Sequence, residues 1–114
     1  MPSSLNKIFR SIADPTRRDI FNLLIIASTA LSITQIADHF DISRQGVTKH
    51  LKVLQQAGLL EISAQGRERY CMANPGPLKE VRDWVMHYEK FWDDKLQRLG
   101  KFLEQSSKQK PQGD

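Results

Sequence analysis

The chain has 114 residues, 39% hydrophobic and 26% charged, with a formal net charge of +4. That length suits one globular domain rather than two, and the composition excludes a disordered or fibrous chain. No apolar run approaches the ~20 residues of a membrane span, Met1-Pro2-Ser3-Ser4-Leu5 lacks the pattern of a signal peptide, and the single Cys71 excludes an intramolecular disulfide, so a cytoplasmic location is expected.

Helical periodicity dominates the first half. Leu5, Ile8, Phe9 and Ile12 recur at spacings of three and four and predict a helix over 4–13. Asp14-Pro15 then supplies an N-cap and a first helical residue for a second helix over 15–28, with Ile20, Leu23, Leu24 and Ala27 as its stripe. Ser32-Ile33-Thr34-Gln35 reads as a capping box, stapled by Leu31 and Ile36, and the helix behind it ends at Asp41-Ile42. Ser43 opens a fourth helix, stapled by Ile42 and Val47, which runs to Gly58 as a left-handed C′ residue. Two helices joined by about three residues have the spacing of a helix-turn-helix. Leu59 to Ser63 and Arg67 to Met72 predict a β-hairpin around Ala64-Gln65-Gly66. Asn74-Pro75-Gly76-Pro77 breaks the chain before a long helix over 78–104, and the polar residues 105–114 are expected to be a disordered tail. The expected architecture is mainly α with a small β-hairpin, in a single domain over 1–104.

The location of the charge is more informative than its sum. Residues 1–42 and 78–104 are each balanced, whereas 43–69 carry Arg44, Lys49, Lys52, Arg67 and Arg69 against Glu61 and Glu68. A local cationic excess is the footprint of a partner that is a polyanion. On the fourth helix, at 100° per residue, Gln45, Thr48, Lys49, Lys52 and Gln56 share one face, opposite Val47, Leu51 and Leu54. The outer face therefore consists of donors and cations without an acid. Gln pairs with an adenine edge, Arg or Lys with guanine, and Thr meets a thymine methyl in the major groove. Ser43, Arg44 and Gln45 stand at the end a recognition helix presents to bases. Ser43, Arg44, Gln45, Thr48 and Lys49 are thus the candidates for the groove, with Lys52, Arg67 and Arg69 for the backbone. Two residues apart in a strand, Arg67 and Arg69 are expected on one side of the hairpin, as the cations of a wing.

These residues resemble the ArsR/SmtB-type winged helix-turn-helix repressors. Ala13-Asp14-Pro15-Thr16-Arg17-Arg18-Asp19-Ile20 with Leu23-Leu24 is similar to that family's second helix. Ser43 to Leu54, closing with Ala57-Gly58-Leu59-Leu60, is similar to its recognition helix, and Gly66-Arg67-Glu68-Arg69-Tyr70 to its wing. The resemblance covers roughly residues 5–104 and implies a homodimeric bacterial repressor whose terminal helices form the dimer interface.

The last helix points to dimerisation independently. Its stripe is too long for a core of this size to cover, and Trp84, Tyr88, Phe91 and Trp92 cluster within it. Leu5, Ile8, Phe9, Trp84, Tyr88, Phe91, Trp92, Leu96 and Leu99 are the residues expected at the dimer interface. The third helix lacks the cysteine pair of one family metal site. Asp83 and His87 share a face on the last helix but have no further ligand nearby, so no metal and no cofactor are expected. No nucleophile, metalloprotease or phosphate-loop motif argues for an enzyme, and no catalytic residues are expected. The expected function is promoter occlusion by a homodimer on double-stranded DNA at an imperfect palindrome. The alternatives are a metal- or small-molecule-responsive sensor of the same fold and a winged-helix protein-interaction module.

Overall fold

A computed structural model describes residues 3–109. Its elements, in chain order, are α1 (Ser3–Ala13), α2 (Pro15–Ala27), β1 (Leu31–Ser32), α3 (Ile33–Phe40), α4 (Arg44–Gln56), β2 (Leu60–Gln65), β3 (Glu68–Ala73) and α5 (Leu78–Gln109). None of the described helices is long and apolar enough to cross a membrane.

Local chemistry sets the boundaries. Asp14 accepts a hydrogen bond from the Arg17 backbone N–H at 3.0 Å, with Pro15 in the first helical turn of α2. That bond, with the positive charge of Arg17 beside it, holds the Asp14 carboxyl below its ordinary range. Ser32 and Gln35 form the complete capping box of α3, at 3.1 and 2.8 Å. Ser43 Oγ caps α4 by accepting from the Gly46 N–H at 3.1 Å. At the other end of α4, Gly58 takes φ 79°, its N–H donates to Gln55 O at 2.9 Å and the Leu59 N–H to Leu54 O at 3.0 Å. This is the paired-bond Schellman stop.

Arg17 and Arg18 close a different gap. The carbonyls of a helix's last turn have no partner within the helix. Arg17 donates to Ser11 O at 2.7 Å and Arg10 O at 3.0 Å, while Arg18 donates to Ile12 O at 2.6 Å and Ala13 O at 3.2 Å. The two guanidinium groups thereby satisfy the C-terminal carbonyls of α1 and fix the corner between α1 and α2.

One core serves residues up to Val81. Ile8 of α1, Ile20, Phe21 and Leu24 of α2, Ile33, Ile36 and Ala37 of α3, Val47, Leu51 and Leu54 of α4, and Leu59, Leu60 and Cys71 form one buried cluster. Leu78 and Val81, in the first turn of α5, pack against it. The remainder of α5, from Arg82 onward, forms a separate unit.

Four expectations are corrected. The hairpin is part of a three-stranded antiparallel sheet of order β1-β3-β2, because Leu31 pairs with Cys71 and Ser32 with Tyr70. The tight turn is Gly66-Arg67, closed by Gln65 opposite Glu68, one residue later than expected. Gly66 has φ 62°, which a two-residue loop with glycine first requires. Arg67 therefore lies at the tip and not in a strand beside Arg69. Next, α5 continues to Gln109 rather than ending at 104, since Glu104 to Gln109 contains no helix breaker; residues 110–114 of the expected tail lie outside the described residues. Finally, Leu5 and Ile8 are buried within their own chain, which leaves neither with apolar surface for a partner.

Candidate nucleic-acid interface

Amphipathic packing determines what α4 shows to solvent. Val47, Leu51 and Leu54 are fully buried, so the opposite face must point outward. Gln45, Lys49 and Lys52 are exposed on it, and Arg44 stands exposed at its first helical position. Ser43 has its hydroxyl oxygen occupied by the cap. Thr48 donates its hydroxyl to Arg44 O at 2.7 Å, which leaves its methyl group and the hydroxyl's acceptor lone pairs for other contacts.

The wing adds the second wall. Thr48, Lys52 and Gln55 of α4 and Ile62, Ala64 and Arg69 of the hairpin, with Ile33, line an open groove of about 300 Å³. Lys52 and Arg69 thus approach one concavity from different elements, a two-sided cation arrangement suited to a phosphate. Gly66 and Arg67 form the exposed hairpin tip. Gln56 belongs to a separate recess with Lys7, Arg10 and Val53. The 48, 52, 55 spacing carried the signal for Gln55, which lies on the same helical face as Lys52.

Two contacts join elements that sequence reasoning kept apart. Arg44 Nη2 lies 4.0 Å from Glu68 Oε2, linking the start of α4 to the wing. Arg17 Nη1 lies 3.4 Å from His50 Nδ1. A guanidinium can only donate, so Nδ1 is the accepting side of this contact. His50 therefore ties the inner flank of the recognition helix to the α1–α2 corner.

A helix-turn-helix domain model matches residues 12–63, which takes in α2, α3, α4 and the start of the first wing strand. The transcriptional repressor SdpR of Bacillus subtilis is 32% identical over 92 residues, covering 81% of this chain and all of that protein. The crystal structure of an ArsR family transcriptional regulator superposes with a TM-score of 0.73 at 30% identity, over 82% of this chain and 94% of that one. The chain belongs to the ArsR family of winged helix-turn-helix DNA-binding transcriptional regulators. A homodimeric winged helix-turn-helix DNA-binding domain from Mycobacterium bovis shares the fold, with a TM-score of 0.61 at 18% identity over 76% and 82% of the two chains. In this ArsR-family chain the recognition helix is α4 and the wing is the β2–β3 hairpin.

On α5, Trp84, Tyr88, Phe91, Trp92, Leu96 and Leu99 are all exposed, and Val85, Phe102 and Leu103 extend the stripe. Lys95 Nζ lies 4.6 Å from the centre of the Phe91 ring, and Trp84 meets Tyr88 edge-on at 5.3 Å. Asp83 pairs with Arg82 at 3.3 Å, while His87 packs edge-on against Tyr88. No group of three or more His, Cys, Asp or Glu side chains assembles among the described residues.

Proposed function

We propose that the protein is a homodimeric repressor that occludes a promoter by placing two α4 helices in successive major grooves of an imperfect palindrome. The observation that carries this reading is the outer face of α4, which is exposed, cationic and acid-free, and is flanked by the Lys52–Arg69 groove. Gln45 and Lys49 are assigned to base edges, with Arg44 beside them and the Thr48 methyl on a thymine. Ser43, as helix cap, sets the angle of entry. Lys52, Arg67 and Arg69 are assigned to phosphates. The repression carried in the name of the Bacillus relative supports the direction of control, and the exposed α5 stripe supports assembly in pairs. Symmetric dimers of this class read half-sites about 34–36 Å apart.

Two substitutions test the division of labour. Gln45→Ala should lose about 1–3 kcal/mol of discrimination at one base pair and little elsewhere. Arg67→Ala should weaken binding to every sequence and reduce the salt slope by about one unit. Equal losses for Gln45→Ala on specific and random duplexes would contradict its assignment to bases.

A further inference from the structure

Glu68 is one of two acids, with Glu61, in the cationic segment 43–69. It begins β3 immediately after the wing turn, and its Oε2 faces the Arg44 guanidinium at 4.0 Å. The Glu68 side chain is partly open to solvent, but Oε2 itself is shielded and accepts no hydrogen bond from any described residue. A carboxylate oxygen removed from water without a donor is costly unless positive charge compensates it. Arg44 supplies that charge. The need is mutual: Arg44 is a cation at the positive end of the α4 dipole, and the first turn of α4 contains no acid.

The length of the contact matters. At 4.0 Å it is a Coulomb interaction without a hydrogen bond, so it offsets the charge of Arg44 while leaving its N–H donors free. Charge is what attracts phosphate on any sequence, whereas the donor fork is what reads a guanine.

We propose that Glu68 is a specificity-determining positioning residue: from the wing it partly neutralises Arg44 and holds its guanidinium back from phosphates, reserving the donor fork for a base edge. The proposal rests on the reading of α4 as the DNA-contacting helix. Glu68 itself touches no base. It lowers affinity for random DNA more than for the cognate site, and so widens the gap between them.

The experiment uses the full chain, a duplex enriched by the parent protein from a random pool, and a scrambled duplex of equal composition, titrated across a salt series. Glu68→Gln should raise affinity for the scrambled duplex about fivefold, the scale of one exposed charge interaction, and change affinity for the enriched duplex less than about twofold. The salt slope on scrambled DNA should steepen by about one unit per protomer, as one further phosphate is engaged. In an Arg44→Ala background the same substitution should leave the ratio of the two affinities unchanged. Equal loss on both duplexes would reduce Glu68 to a structural residue and overturn the proposal. So would a full effect that persists without Arg44, because Glu68 would then repel DNA directly. A parent chain that enriches no duplex contradicts the DNA reading and this proposal with it; a parent that enriches one, with a ratio indifferent to Glu68→Gln, contradicts this proposal alone.

Discussion

Cys71 shows how one residue's environment fixes its chemistry. It lies in the central strand between Leu31 and Ile62, is fully buried, and burial pushes its thiol up to about 11 from an ordinary 9.0. A reactive cysteine needs the opposite, an accessible thiolate stabilised by nearby positive charge. Because the folded value is the higher one, the thiol's contribution is fully present below pH 9 and is lost as pH rises from 9 towards 11. The parent should therefore lose stability relative to Cys71→Ala across that window, measured by denaturant unfolding of both proteins. Thiol-reagent labelling of the folded parent at pH 8 should also lag far behind labelling of the unfolded chain; equal rates would contradict the burial. Arg17 makes the same point for a cation. Its side chain is committed to Arg10 O, Ser11 O and His50, so despite its charge it belongs to the scaffold rather than to the DNA surface.

The helices of the helix-turn-helix are defined chiefly by their ends. Ser32 and Gln35 are three residues apart, as are Ser43 and Gly46, so these caps are written in contiguous sequence and can be read there. Gly58 was equally legible, and its φ of 79° makes it hard to replace. A Cβ at this position would also stand 3.3 Å from Pro77 Cγ. Gly58→Ala should cost about 1–2 kcal/mol for the left-handed backbone, lowering the melting temperature by several degrees in a domain of this size. An unchanged melting temperature would contradict the Schellman stop. The sheet was harder to read. At two residues β1 has no periodicity, and its residues already serve as staple and cap for α3. The position of the wing turn is not fixed by local sequence, because Gly66 fits either position until the Gln65–Glu68 pairing is known. The site divides in the same way. The cations of α4 follow from helical spacing alone, whereas Arg44–Glu68 and Arg17–His50 cross between elements and leave no local pattern.

For the whole molecule, charge and apolar surface are segregated. The cationic excess is concentrated on α4, with Arg44, Lys49 and Lys52 and no acid, while α5 has nearly balanced charge, seven cations against six acids, and carries the exposed aromatic stripe. With 32 residues, α5 is about 48 Å long at 1.5 Å per residue. Trp92 and Leu96 are more than half exposed on it, at 62% and 61%. Large apolar side chains displayed over such a length mark a surface that is covered in the working assembly. In the proposed dimer a second copy would cover it with the same residues under two-fold symmetry, and would supply the second recognition helix that the proposed palindrome needs. The most direct test of this account is an anisotropy titration of the parent against its enriched duplex and a scrambled duplex, at low and at near-physiological salt. Tight binding to the enriched duplex alone at the higher salt, saturating at two protomers per duplex, is the predicted result. Equal and steeply salt-sensitive binding to both duplexes, or saturation at a single protomer, would contradict it.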